Sequence, residues 1–475
     1  LTGIPIAYYS AKYNVDMDLL TRGAGFGYYG STLTSLVYAS FTFIYFSLEG
    51  SVMAQALHLY FGWSMSLSYL IAAVGILPLV IYGMTFISKL QIWTQPLWLA
   101  LLVLPLGIIV IKDPAVFHHW LHFTGSTSHN ARFDPLLFGA AAAVVLSLIA
   151  QIGEQVDYLR FMPDKTDANR KKWWWAVILA GPGWVLIGAA KQLGGSILAA
   201  FAAPAVGATL ADEPIEMYLH ALYLVLPTGL MALTIATFFI LVSQIKINVT
   251  NAYSGSLSWS NFFSRVFHWH PGRVIWLFFN VGIALTLMEC NVFSFLNAIL
   301  GFYANVAVAW IGAVVADLVI VKGILHIGPS FIEFKRGHLP NFNPVGFGSM
   351  LIASGVSIAA FFGAFGLFLQ DFSAFLAFVL AFVLVPIWTI LTKGRTYLVR
   401  QSPEIVETPP HEHLLCTTCN FEYEKEDMLF CPFHEGPICS LCCSLEGSCH
   451  EMCKRPGVTA AMNNAFSLTA QTPKV

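Results

Sequence analysis

Eight side chains near the C-terminus have the types and spacing of metal ligands. They fall as Cys416-x2-Cys419, Cys431-x2-His434, Cys439-x2-Cys442 and Cys449-x3-Cys453. Ligands paired on tight turns can bring thiolates and imidazole together at about 2.0–2.3 Å from one zinc ion. Four pairs suffice for two closed, tetrahedral sites. Joining first with third and second with fourth puts Cys416, Cys419, Cys439 and Cys442 on one ion. Cys431, His434, Cys449 and Cys453 then hold the other. Cys443 is spare, and could displace Cys442 or Cys449. With every ligand position filled, the zinc ions are structural. So short a segment holds little apolar core, and metal binding supplies much of its folding energy.

A second group of chemically capable residues lies in apolar surroundings. Glu49 sits in FIYFSLEGSVMAQ, Glu154 in LIAQIGEQVDYLRF, Lys191 in IGAAKQLGGS and Lys246 in FFILVSQIKINVTNAYSGS. Charge at membrane depth is costly and faces the interior of a bundle. The stretch from Ser243 to Ser258 is too polar for a lipid-facing helix, whose groups would go unsatisfied. The amides of Asn248 and Asn251 offer donors and acceptors, which suits the edge of a planar heterocycle. Tyr45 precedes Glu49 by four residues, so a stacking surface and a carboxylate share one helix face. Gln151-Ile152-Gly153-Glu154 mixes glycine with polar groups, the pattern of a broken helix that exposes backbone to a substrate.

Long apolar elements must position these groups. Ten segments can span a bilayer, at 31–62, 65–88, 91–112, 134–156, 173–203, 220–257, 273–289, 291–321, 344–369 and 371–393. Basic residues collect on every second loop, including Arg160, Lys171, Arg265, Lys335 and Arg395. The positive-inside rule assigns those loops, and everything after residue 394, to the cytoplasm. Reduced cytoplasmic thiols favour metal over disulfides. Trp173, Trp174 and Trp175 beside Lys171 and Lys172 read as interfacial anchors.

Composition agrees. Apolar residues make up 57% of the 475 and charged residues 11%. A soluble domain carries about 25% charged residues, so one large soluble globule is excluded. A net charge of -2 gives no basic field for nucleic acid. Eight of nine cysteines and ten of 26 acidic residues lie beyond residue 400, so two unlike parts join there. The expected organisation is an all-α polytopic membrane part (1–394), a linker (395–412), a double-zinc module (413–455) and a flexible tail (456–475). The apolar start, LTGIPIAYY, is too short to span and lacks the features of a signal peptide. It reads as a chain whose upstream part is missing. No soluble-enzyme motif is found, and no catalytic residue is assigned.

Five motifs carry a resemblance. They are TRGAGFGYYGS (Thr21 to Ser31), EQVDYLRF (Glu154 to Phe161), NVTNAYSGSL (Asn248 to Leu257), ADLVIVKG (Ala316 to Gly323) and FNPVGF (Phe342 to Phe347). Their order and spacing resemble the nucleobase:cation symporter family of purine-cytosine and hydantoin permeases, which has the inverted-repeat leucine-transporter fold. The resemblance implies that this chain supplies the third to twelfth helices of twelve. The first helix and most of the second are absent. It places Tyr45 and Glu49 at the family's third-helix aromatic and glutamine positions, and Asn251 or Asn248 at its eighth-helix asparagine. Gln151 and Glu154 belong to the sixth helix, which lacks the tryptophan of hydantoin-type members. Lys246 falls near the eighth-helix hydroxyls that hold sodium in coupled members, so its ammonium would replace the cation.

Two functions follow as expectations. One is a plasma (inner) membrane permease for a nucleobase-like polar heterocycle, with a zinc module that docks a cytoplasmic partner. The other is a sensor that binds the ligand without net transport and passes the signal to an appended domain of histidine-kinase type. A RING-like, ubiquitin-related module ranks last, resting on fold analogy alone.

Overall fold

The computed structural model describes residues 1–124, 132–400, 413–455 and 457–458. The expected linker is therefore described only to residue 400. The expected tail lies outside the described residues apart from 457–458.

The body is helical. After α1 (Gly3–Tyr13) comes α2 (Tyr28–Phe61), 34 residues without a proline. Gly27 and Gly62, with φ of 79° and 69°, bound it. Only glycine adopts such backbone at little cost. α3 (Met65–Val74) and a short helix to Ile81 lead to α4 (Met84–Lys112). α5 (Pro135–Ser147) starts where the Asp134 carboxylate accepts the N–H groups of Leu136 and Leu137. It runs through a 3₁₀ turn at Leu148–Gln151 into α6 (Ile152–Leu159). Helix Arg170–Ala180 stops at Gly181-Pro182-Gly183 and is followed by α7 (Trp184–Val206). α8 (Gly229–Val266) is capped by the Thr228 hydroxyl, which accepts from the N–H of Met231. α9 (Arg273–Glu289), α10 (Leu296–Ala316), α11 (Ser349–Phe361) and α12 (Ser373–Thr392) complete the body.

Among the described residues, eight helical runs are long and apolar enough to cross a bilayer. α9, at 17 residues, and the pair within Met65–Ile81 are shorter and pack in the same bundle. Ile111, Leu186 and Leu391 point outward at 70% exposure or more. An outer surface of this kind is solvated by lipid, and the chain is a multi-pass membrane protein. The segment expected at 220–257 begins later and ends later. Pro227 ends the preceding turn and Thr228 caps the new helix, which then runs unbroken to Val266.

α10 is the most buried span. Its Trp310 is 1% exposed, and the indole N–H donates to Thr21 Oγ1 at 3.1 Å. α2 and α8 lie against each other along much of their length. Gly255 allows that approach: a Cβ there would stand 2.5 Å from Thr42 Oγ1 and 2.6 Å from Asn280 Cγ.

The C-terminal segment forms two hairpins and a short helix. β1 (His413–Leu415) pairs antiparallel with β2 (Glu422–Glu424), and β3 (Met428–Cys431) with β4 (Gly436–Cys439). α13 (Ser440–Leu445) follows. Met428, Leu429 and Ile438 with Cys416, Cys431 and Cys439 make its small core. It rests on the loop between α10 and α11. Arg336 donates from Nε to Glu451 Oε1 (3.0 Å) and from Nη1 to the carbonyls of Cys443 (3.0 Å) and Glu446 (2.6 Å). Asn341 and Lys454 bond to each other at 2.7 Å, and Arg400 donates to the carbonyl of Phe430. Within that loop, Glu333 accepts from the N–H groups of Phe334 and Lys335 and pairs with His338 at 2.7 Å.

Candidate functional site

The intramembrane candidates sit where α2, α6 and α8 meet, beside the break between α5 and α6. A 3₁₀ turn inside a membrane helix loosens the backbone ladder and commonly marks a functional hinge. Tyr45 reaches across to that break. Its hydroxyl lies 2.5 Å from Ser147 Oγ on the last turn of α5. Ser147 donates its own proton to the carbonyl of Val144, so Tyr45 is the donor of the pair. One turn on, Glu49 is half-buried, with Lys191 of α7 and Gln244 of α8 as its polar neighbours. Lys191 itself is exposed and stands 5.3 Å from the centre of the Trp98 ring.

On α8, Asn251 donates from Nδ2 to Asn248 Oδ1 at 3.2 Å, and Asn248 turns its own Nδ2 toward the carbonyl of Phe46 at 3.5 Å. Both amides are buried. On α6, Glu154 is buried within electrostatic reach of Glu49 and Asp157, and Gln151 approaches it at 3.5 Å. Ser254 ties α8 to α6 by donating to Asp157 at 2.6 Å. Gly153 lets α6 approach α2, since a Cβ there would meet the Tyr38 ring at 2.6 Å.

Three buried acceptors in this region have no protein partner: Glu154 Oε1, Gln244 Oε1 and Asn251 Oδ1. Each such group costs about 1–3 kcal/mol unless a donor reaches it. Tyr38 Oη on α2 and Gln155 Nε2 on α6 are also buried without a partner, so the region is suited to a species that offers N–H groups together with an acceptor. Toward the face that carries the cysteine segment, a water-sized cavity of about 20 Å³ is lined by Asp16, Asp18, Tyr38, Asp157 and Ser258.

The structure therefore brings together Tyr45, Glu49, Gln151, Glu154, Asn248 and Asn251. Lys246 does not join them. It projects toward α4, donating to the carbonyl of Gln91 and to Thr94 Oγ1, each at 3.0 Å, while Gln91 Nε2 donates back to the carbonyl of Lys246 at 2.6 Å. The sequence reading gave Gln244 no role. The usable signal was its place seven residues, two helical turns, before Asn251 on the same face.

In the cysteine segment, the sulfurs of Cys416, Cys419, Cys439 and Cys442 all lie within 4.8 Å of one another. That is four ligands of the right chemistry for zinc. The N–H of Cys439 points at Cys416 Sγ (3.3 Å) and that of Cys442 at Cys439 Sγ (3.4 Å). Burial raises the Cys416 thiol, but the N–H groups of Cys419, Cys439 and Thr418 outweigh it and bring it down to about 6. His434 points elsewhere, its Nε2 3.2 Å from Glu446 Oε2. Cys431, Cys449 and Cys453 neighbour Cys443.

No family model matches the chain, and no curated protein is similar to it in sequence. Solved structures are similar in fold. One is Mhp1, a nucleobase-cation-symport-1 family transporter in a closed conformation with bromovinylhydantoin bound. It has a TM-score of 0.59 and 17% identity over 84% of this chain and 88% of that one. The inward-facing conformation of Mhp1 matches at 0.52, with 17% identity over 82% of each chain. The membrane part thus has the leucine-transporter-like fold that the motifs implied.

Proposed function

We propose that the chain binds, and moves across the membrane, a small planar heterocycle whose ring N–H groups satisfy the free acceptors between α2, α6 and α8. The observation that carries this reading is the set Glu154 Oε1, Gln244 Oε1 and Asn251 Oδ1, buried and unpartnered beside the 3₁₀ turn between α5 and α6. Nucleobases and hydantoins have such N–H edges, and bromovinylhydantoin is bound to the similarly folded Mhp1. In this reading Tyr45 gives the stacking face, Glu49 and Glu154 accept ring protons, and Asn248, Asn251 and Gln151 set the orientation.

Lys246 supports sodium independence. Its ammonium fixes α8 to α4 through Gln91 and Thr94, a link a cation could otherwise supply. Residues 1–394 are the membrane domain in this account, with α9 and the Met65–Ile81 pair also spanning. Residues 413–455 are a cytoplasmic module at the inner (plasma) membrane, stapled by zinc at Cys416, Cys419, Cys439 and Cys442, with a second ion among the remaining ligands.

One observation favours a sensory role as a second reading. The module grips the α10–α11 loop through Arg336 and Asn341, so a shift of that loop would reach whatever follows the module. Uptake separates the two. Proteoliposomes with the whole chain should accumulate labelled uracil, cytosine or a hydantoin, and Glu49→Gln should abolish it. Saturable binding with no accumulation would replace transport by sensing. Neither binding nor uptake across the panel would reject the site.

A further inference from the structure

We propose that Cys431, Cys443, Cys449 and Cys453 form a second, all-thiolate site for a zinc-like divalent ion, and that His434 is not a ligand. The proposal rests on the preceding section for the second ion and departs from it in the ligand set. Its ligand set stands on separate observations.

The first observation is a cavity. A space of about 20 Å³ in the module is lined by Cys431, Cys443, Cys449 and Cys453 on one hand and by apolar groups such as Leu429 and Ile438 on the other. That is room for one water-sized or ion-sized species. The four sulfurs stand farther apart than those of the first set, which alone among the described residues lie within 4.8 Å of one another, so an ion here would draw them together. His434 does not line the space and is occupied by Glu446.

The second is helix geometry. Cys442 and Cys443 are consecutive on α13, so their side chains diverge by about 100°. Cys442 turns to Cys416, Cys419 and Cys439. Cys443 must turn away from them, and its neighbours are Cys453, Cys431 and Cys449. One short helix is thus a strut between two sites, and the apparently spare thiol is the fourth ligand.

The third is charge. Four thiols that bind a divalent ion release four protons and leave a net charge of -2, which needs cations nearby. Arg336 lies beside Cys443, and Arg400 and Lys454 lie beside Cys453. Arg336 from the body and Arg400 just beyond it hold the module in place.

The fourth is what else orders this stretch. Beyond Cys443, no described residue belongs to the module's apolar core. Residues 446–454 are held by turns and by polar contacts to the body, so metal bonds supply the missing closure.

The test is metal content of the whole chain purified in lipid nanodiscs, read by mass spectrometry. The wild type should carry two zinc ions per chain, C443S one and H434A two. X-ray absorption on the wild type gives an independent reading if C443S does not fold. It should show only sulfur, near 2.3 Å, with no imidazole scattering. One zinc lost in H434A and none in C443S, or imidazole in the wild-type spectrum, would overturn the ligand set. A single zinc in the wild type would remove the second site and leave the first. No zinc at all would end both.

Discussion

Asn251→Ala is expected to weaken ligand binding with little effect on the fold. The Asn251 side chain makes one bond to the protein, from Nδ2 to Asn248 Oδ1 at 3.2 Å, while its Oδ1 is buried without a protein partner. Truncation removes the orphan at Asn251 Oδ1 but leaves Asn248 Oδ1 buried without its donor, so those two terms offset and the net loss is that of the bond itself, about 0.5–1.5 kcal/mol. A loss of that size should move the melting temperature by only a few degrees. The ligand complex differs. A ring N–H that met Oδ1 is left buried and unpaired, which costs about 1–3 kcal/mol, or roughly 5- to 150-fold in Kd. Thermal denaturation in nanodiscs gives the first quantity, and calorimetric titration with a nucleobase and hydantoin panel gives the second. The reasoning fails if Asn251→Ala melts far below wild type while its affinity is unchanged, because the amide would then be a structural strut.

Other outcomes follow from the same geometry. Binding should be equal in sodium and choline chloride, and Lys246→Met should lower the melting temperature, since it loses two bonds of a charged group worth about 1.5–3 kcal/mol each. A sodium-dependent Kd in the wild type would sink the cation-replacement idea. Gly153→Ala should destabilise the α2–α6 contact by about 1–3 kcal/mol, because its Cβ would overlap the Tyr38 ring. Tyr38→Leu should recover part of that loss in thermal melts, and no recovery would remove Tyr38 as the cause. Acid should loosen the α10–α11 loop. Burial raises the Glu333 carboxyl, but the His338 bond and Lys335 prevail and hold it at about 2. A depressed carboxyl contributes stability above its ordinary value near 4.5 and loses it as pH falls toward 2. The loss is on the order of 3 kcal/mol, and hydrogen exchange of the loop measures it. Burial depresses His338, so protonation below about pH 6.5 acts in the same direction. Glu333→Gln should flatten the response between pH 4.5 and 2, and an unchanged profile would exclude Glu333.

Much of this architecture is legible in residue order, and the exceptions have physical causes. Apolar length finds the long helices, because each must satisfy its own backbone inside lipid. It does not find their ends. The break at Gly181-Pro182-Gly183 and the start of α8 at Gly229 depend on glycine, proline and a threonine cap rather than on hydropathy. Polar density marked α8 as an interior helix, yet it could not say that Lys246 and Asn248, two residues apart, face different neighbours. Spacing alone pairs His434 with Cys431 and leaves Cys443 spare; the turn of α13 and the Glu446 carboxylate beside His434, on which the proposed second site rests, have no local signature. The grip of Arg336 on the module spans more than a hundred residues, and no local pattern announces it.

The central claim is that a ligand lies between α2, α6 and α8. Cryo-electron microscopy of the whole chain in nanodiscs, with the tightest-binding nucleobase or hydantoin at saturation, tests it most directly. The account predicts planar density against Tyr45, within hydrogen-bond distance of Asn251 Oδ1 and Glu154 Oε1. Density lodged elsewhere, with those oxygens still unpartnered, would contradict it.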